Sequence, residues 1–361
     1  MTTQRHRNQG LGIILSILLL GFAPHASHAQ GTISTVPGTE GCSGLTTDPA
    51  GSVYFADAAG RIRKLETASG KLTTIPAAGL GIGGDFAIDA AGNVYFPEMT
   101  FNRVRKWAPG GAITAFAGTG EQDAGVGLRI PGPAAKAIVN RPRTVALDPA
   151  GNLYISPERG GVWKVNAATG MINGLKIAIE TRKDGAVVDR IPAIERPVLV
   201  SAFAFDNSGN VYLGDTFHQV VWQVPAEGGF RKRLAGTGEN GFSGDGGPAV
   251  QAKLSAPTGL AFDAAGNLFI ADCGNNRVRM VAKDGTITTV AGNGTFRSQF
   301  VNVPVPGGNL EPRYQKADDG DGGPAVQARV SSPVSIAVDT AGNLYICGGI
   351  LRKVTGAGSP K

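Results

Sequence analysis

Apolar and polar positions alternate, or fall into short apolar blocks, along most of this chain. Gly259–Gly294 shows the pattern most plainly. GLAFD, NLFIAD, RVRMV and TITTVAG read as four successive strands, because β-branched and aromatic residues dominate them and their apolar residues recur at a period of two. Each break between them holds Gly, Asn or Asp, residues that tolerate the positive φ of tight hairpins. One four-stranded sheet cannot cover both of its own faces. The pattern therefore predicts copies of the unit on either side.

Those copies are marked by Asp, two residues, Gly-Asn and an apolar strand. The marker recurs at Asp89, Asp148, Asp206, Asp263 and Asp339, and Asp48…Gly51-Ser52 is a variant with Ser for Asn. The intervals are 41, 59, 58, 57 and 76 residues. Blade-type repeats run about 40–50 residues, so the first interval is a bare blade and the later ones carry insertions. Six such units with no helical pattern between them predict an all-β fold, a six-bladed β-propeller of four-stranded blades.

The sixth unit supplies only three strands, Ser335–Asp339, Asn343–Cys347 and Ile350–Val354. Gly31–Gly38, GTISTVPG, matches the fourth strand of the reference unit, GTITTVAG at Gly285–Gly292. The N-terminal segment is therefore expected to complete the last blade and close the ring, which removes two open sheet edges. Strand order also sorts the loops. Short turns such as AAGN fall on one side. The insertions Thr119–Arg141, Asn166–Val200 (with its extra loop Lys183–Arg190), Thr237–Ala256 and Asn293–Ser332 fall on the other, here called the loop face. Long loops on one rim of a rigid scaffold are where binding usually sits.

Two sequence features resemble the NHL-repeat family. One is Asp272-Cys-Gly-Asn275-Asn276-Arg277-Val278; the other is GDGGPAVQAKLSAPTGLAFD (Gly244–Asp263), which recurs as GDGGPAVQARVSSPVSIAVD (Gly320–Asp339). This recurring segment is similar to the NHL propellers of bacterial secreted proteins and teneurins. The resemblance spans nearly the whole chain after residue 29 and implies the six-bladed ring. It says little of function, because the fold hosts many activities.

Met1–Ala29 reads as a secretion signal: Arg5 and Arg7, an apolar stretch Leu11–Phe22 too short to span a membrane, then Ser27-His28-Ala29 as a cleavage site. The expected division is a signal peptide, 1–29, and a single propeller domain, 30–361, secreted or periplasmic, monomeric and without a membrane span. Losing two arginines and no acids lowers the formal net charge from +6 to +4. That mild balance suits a solvated surface better than a nucleic-acid groove. Three of the four histidines leave with the signal, so His218 alone remains.

Nine residues after each marker Asp, at the loop-face end of the second strand, stand Asp57, Glu98, Pro157 (with Glu158 next), Asp215, Asp272 and Gly348. This partial acidic ring is either a site for a cation or polar ligand or a set of turn caps, each carboxylate accepting N–H bonds in its own hairpin. Five residues before each marker, at the start of the innermost strand, stand Ser43, Gly84, Arg143, Ser201, Thr258 and Val334. Gluconolactonase-like six-bladed enzymes, which the architecture resembles, take metal ligands from Glu, Asn and Asp at this inner position. None stands there here, so no metal or other cofactor is expected. Arg143 either holds an anionic ligand in bidentate fashion or pairs with Glu98 or Glu158.

Propeller lyases that use zinc need several histidines. Streptogramin-lyase-like propellers use His and Glu for proton transfer, which leaves His218 a candidate, although it aligns with the turn residue Asn275. Gly236–Gly241 matches GxGxxG by letter only, because no helix follows. In the GDGG segments Asp318–Asp321 lacks the alternation of a calcium loop; instead Pro248 is expected to start a helical turn over Ala249–Leu254, with Leu254 plugged under the loop face. Cys42, Cys273 and Cys347 all fall at loop-face strand ends. A Cys42–Cys347 disulfide would clasp the seam and leave Cys273 free; three buried thiols are the alternative.

Two functions stay open. One is a non-catalytic exported propeller that binds a protein, peptide or glycan on its loop face. The other is a lactonase- or lyase-like enzyme at the channel mouth, using Arg143, Glu98, Glu158 or His218.

Overall fold

The computed structural model describes residues 31–48, 50–75, 85–122, 131–158, 161–175, 177–178, 198–296, 301–304, 310–313 and 319–357. The candidate signal segment and the loop Lys183–Arg190 lie outside them. Six antiparallel sheets form the body. Their innermost strands are Gly44–Thr47, Ala87–Ile88, Pro142–Leu147, Val200–Phe205, Pro257–Phe262 and Ser335–Val338. Each innermost strand packs beside the next, and the last packs beside the first. The result is the closed six-bladed ring that the repeat implies.

Thr32–Thr35 pairs antiparallel with Leu351–Thr355, with Thr32 opposite Thr355 and Thr35 opposite Arg352. The N-terminal strand is thus the outermost strand of the sixth blade. On the other side of the seam, Cys42 and Cys347 form a disulfide that joins the first blade to the last. Cys273 stays a free thiol.

Among the described residues the buried side chains form six clusters rather than one central core, each between two adjacent blades. Second strands such as Leu268–Asp272 and Val211–Asp215 are buried at every position, on both faces. This is why the repeat is obligatory: each sheet completes the hydrophobic burial of its neighbours.

The marker Asp has a local task. In five blades its Oδ1 accepts from the backbone N–H of the residue four on, and its Oδ2 from that Asn side chain, as at Asp89–Asn93 and Asp339–Asn343. The Tyr95, Tyr212 and Tyr345 hydroxyls also donate to that Oδ2. The marker therefore caps the hairpin on the face opposite the loops.

Several details differ from the expectations of the sequence. The helical turn after Pro248 is only the 3-10 turn Ala249–Gln251, although Leu254 is fully buried as expected. The same strap occurs three times, at Ala134–Lys136, Ala249–Gln251 and Ala325–Gln327. Val139, Leu254 and Val330 are the corresponding buried plugs. The first copy is hidden in the sequence because its Gly132-Pro133-Ala-Ala-Lys keeps little of the GDGG wording. The fourth strand of blade three, which the pattern does not place, is Met171–Gly174. Two small additions have no repeat signature: a hairpin, Val301–Pro304 with Leu310–Arg313, and a parallel pair, Ile177–Ala178 with Gly229–Phe230.

Candidate functional site

Five of the six inner positions, Ser43, Arg143, Ser201, Thr258 and Val334, line one cavity of about 450 Å³ at the loop-face mouth of the ring. Gly84 lies outside the described residues. Three of the five owe their direction to β-bulges. Register shifts between Pro142 and Thr144, Val200 and Ala202, and Pro257 and Gly259 leave Arg143, Ser201 and Thr258 as the extra residues of their strands. A bulged residue leaves the ladder and re-aims its side chain, here toward the channel mouth. Ser201 shares a 2.9 Å hydrogen bond with Thr216, and the Thr258 hydroxyl donates to the Pro333 carbonyl at 3.0 Å.

Below the mouth the channel holds a second cavity of about 290 Å³, walled by Phe203, Phe205, Phe262 and other innermost-strand residues. Asp85 borders both spaces. The Ser335 hydroxyl donates to its Oδ1 at 2.8 Å. Enclosure by protein pushes the Asp85 carboxyl up to about 7, against the lowering effect of Ser335 and the Leu45 backbone. Asp85 is half-buried. Counting five residues back from the marker reaches Gly84 and misses Asp85 by one. Ser335 stands at the same offset as Asp85, four before its marker, so the two meet across the channel wall.

The partial acidic ring does not converge on this cavity. Asp57 accepts from the Ala59 and Arg61 N–H groups at 3.0 Å each and from the Arg61 guanidinium at 2.8 Å. Burial opposes its charge, but those bonds hold it below the usual carboxylate range. Glu98 is bound by Arg103 and, at 3.3 Å, by Arg105. Glu158 pairs with Arg141. Asp272 takes the Ser255 N–H at 2.7 Å, Asn275 at 2.8 Å and Arg279 at 3.5 Å. Burial nevertheless raises it. Asp215 accepts from His218 Nδ1 at 2.6 Å and from Trp222 Nε1 at 3.1 Å.

His218 is 3% exposed, and its Nδ1 meets Asp215 as the Asn275 amide meets Asp272. Its alignment with a turn residue is therefore also a geometric equivalence. Its Nε2 is buried with no hydrogen-bond partner among the described residues. Neither His218 nor any member of the acidic ring lines the mouth cavity, apart from the backbone position Gly348.

Arg143 is the exception. It is exposed at the mouth, and both glutamates named as its possible partners are held by other arginines. No ion pair joins it to any described residue. Phe296, 64% exposed, adds an apolar edge. No repeat places it there, so sequence could not nominate it. Among the described residues no three His, Cys, Asp or Glu side chains are grouped as a metal would need.

The GDGG aspartates are structural. Asp245 holds the fully buried Arg279 at 2.7 Å, and Asp321 holds the buried Arg352 at 2.6 Å. Both arginines lie on the third strand of the following blade, so each strap is pinned to the sheet it precedes.

The ring, the strap and the Asp–x–x–Asn–x–Arg turn together define an NHL-type six-bladed β-propeller. Residues 230–309 match the family model described as the teneurin NHL domain. Mouse teneurin-1 is 51% identical over 43 residues, 12% of this chain and 2% of that protein. The protein SUPPRESSOR OF QUENCHING 1 of Arabidopsis thaliana is 31% identical over 119 residues, 32% of this chain and 10% of that protein. The chain thus spans a small part of these relatives. Among solved structures, an auxiliary nutrient binding protein from Bacteroides thetaiotaomicron superposes with a TM-score of 0.60 at 15% identity, over 88% of this chain and 69% of that one. A gluconolactonase from Xanthomonas campestris superposes with a TM-score of 0.56 at 12% identity, over 91% of each. At these identities the structural likeness establishes the fold alone. No described helix is long and apolar enough to cross a membrane.

Proposed function

We propose that this chain is an exported, non-catalytic propeller, with Met1–Ala29 removed and residues from 30 onward forming one domain that binds a protein, peptide or glycan on its loop face. One observation carries the reading: the carboxylates of the partial acidic ring are held by groups of their own blades, whereas no ion pair joins Arg143, at the mouth, to any described residue. Charge the fold does not use is charge available to a ligand. A similar fold in a protein named for nutrient binding agrees with this reading. Binding to peptide and glycan arrays tests it. Arg143→Ala should abolish binding, and Lys106→Ala, beside Tyr95 and away from the mouth, should leave it intact. Array ligands indifferent to Arg143 would sink the reading.

The lactonase- or lyase-like alternative has one observation in its favour, and it lies outside Arg143, Glu98, Glu158 and His218. Asp85, poised near neutrality between two cavities, has the acidity suited to general acid–base work. A panel of small lactones followed by pH-stat would show acid release lost in Asp85→Asn. Release no faster than in buffer alone would remove this alternative.

A further inference from the structure

Among the described residues that line the mouth cavity and the channel beneath it, only Arg143 and Asp85 have ionisable side chains of opposite sign. They border the same space, and no ion pair joins them. Asp85 is enclosed with only the Ser335 hydroxyl and the Leu45 backbone to offset its charge, which leaves a counter-charge in that cavity favourable. Both border one cavity, so a single ligand that carries both counter-charges could meet them together.

We propose that the mouth cavity is a site for a small zwitterion, whose carboxylate is held by Arg143 and whose ammonium is held by Asp85. The inference rests on the binding reading above and names the ligand class for its innermost site. A guanidinium takes a carboxylate in bidentate fashion. The Asp85 carboxylate can accept two or three N–H bonds of an ammonium while Ser335 fixes its Oδ1. The Ser43, Ser201 and Thr258 hydroxyls suit a polar ligand body, and Phe296 an apolar edge.

A volume of about 450 Å³ admits an amino acid or a short peptide end, and excludes a folded partner. A simple anion would leave Asp85 uncompensated. A divalent cation would find a single carboxylate where it needs several oxygens.

The site has a predicted pH dependence. The ligand amine stays protonated across the neutral range, and among the described residues Asp85 is the only carboxylate that lines either cavity. Asp85 must be ionised to hold an ammonium. With its carboxyl pushed up to about 7, affinity is full above that value and falls as Asp85 takes up a proton.

The test uses the full chain after residue 29 and calorimetric titration with ω-amino carboxylates from glycine to 8-aminooctanoate. Controls are the length-matched plain carboxylates and plain amines. At least one zwitterion should bind tenfold or more tightly than both of its controls, with about a tenfold loss from pH 8 to pH 6. Asp85→Asn should reduce the zwitterion to the affinity of the plain carboxylate and flatten the pH profile. Arg143→Ala should reduce it to that of the plain amine. The inference is overturned if plain carboxylates bind as tightly as every zwitterion, or if no series member binds. Should that happen while array binding still depends on Arg143, the loop-face reading survives alone. Zwitterion binding without array binding would keep the site and remove the macromolecular ligand.

Discussion

Two sets of Asp and Arg residues in this molecule have opposite fates. In blade five, Arg279 is fully buried and spends its guanidinium on Asp245, Asp272 and the Ser243 and Lys253 carbonyls, with Phe242 stacked on it. At the channel mouth, Arg143 and Asp85 share a cavity and no bond. Residue types are the same; geometry separates them. A charge that closes a network within its own blade and strap holds the fold together. A charge that a β-bulge turns into the lumen is left for something else. Identity of residue alone therefore cannot nominate a site. What matters is whether the local hairpin can satisfy the group.

Breaking the first set should have the largest effect. Arg279→Ala leaves Asp272 buried and Asp245 unpaired, and should cost about 3–5 kcal/mol in denaturant unfolding. Little change in the midpoint would mean that the network is not what fixes the strap. Reducing the Cys42–Cys347 bridge, or replacing both with Ser, opens the seam and should cost about 2–5 kcal/mol. Equal melting temperatures with and without reductant would deny the disulfide a role.

Next in size is a contact between blades. The Asn276 side-chain oxygen accepts the Ser332 N–H at 2.9 Å, as Asn102 does for Arg141 at 3.0 Å, and in each pair both residues have positive φ. Asn276→Ala leaves that N–H unsatisfied and should cost about 1–3 kcal/mol, read in the same unfolding curves.

The mouth set should behave differently. The raised Asp85 carboxyl means that the folded state binds a proton more tightly than the unfolded chain does. Its contribution to stability is therefore complete below the ordinary carboxylate range and is lost as pH rises toward about 7. Asp85→Asn should flatten the part of the stability–pH curve between about 4 and 7 that Asp85 causes; a curve of unchanged slope would place its titration elsewhere. Smallest of all, Arg143→Ala should alter stability by no more than about 0.5 kcal/mol while removing ligand binding. A large loss of stability would show that Arg143 belongs with the structural charges after all.

Most of the ring is legible in the sequence because its signal is periodic. Marker spacing counts the blades, and the likeness of Gly31–Gly38 to Gly285–Gly292 identifies the closing strand. The loop-face carboxylates stand at the expected strand ends, but letters cannot say whether a carboxylate faces its own turn or a cavity. Asp85 escapes the count because it stands one residue nearer the marker than the counted position, ahead of the short strand Ala87–Ile88 rather than within it. Bulges turn Arg143, Ser201 and Thr258 toward the mouth, and no composition rule announces a bulge. The first strap, Gly132–Val139, escapes because two of the three glycines and the acid of GDGG are replaced ahead of it, while Gly132 and the plug Val139 remain.

The closing strand has a consequence for how the molecule is made. Thr32–Thr35 finds its partner in Leu351–Thr355, more than three hundred residues later. A chain synthesised from its amino end holds this strand unpaired until the sixth blade exists, and couplings over such distances form slowly. Shortening the protein at the Leu351–Thr355 end would therefore do more than remove one strand. It would orphan the first one and leave the circle gaping at its only noncontinuous joint.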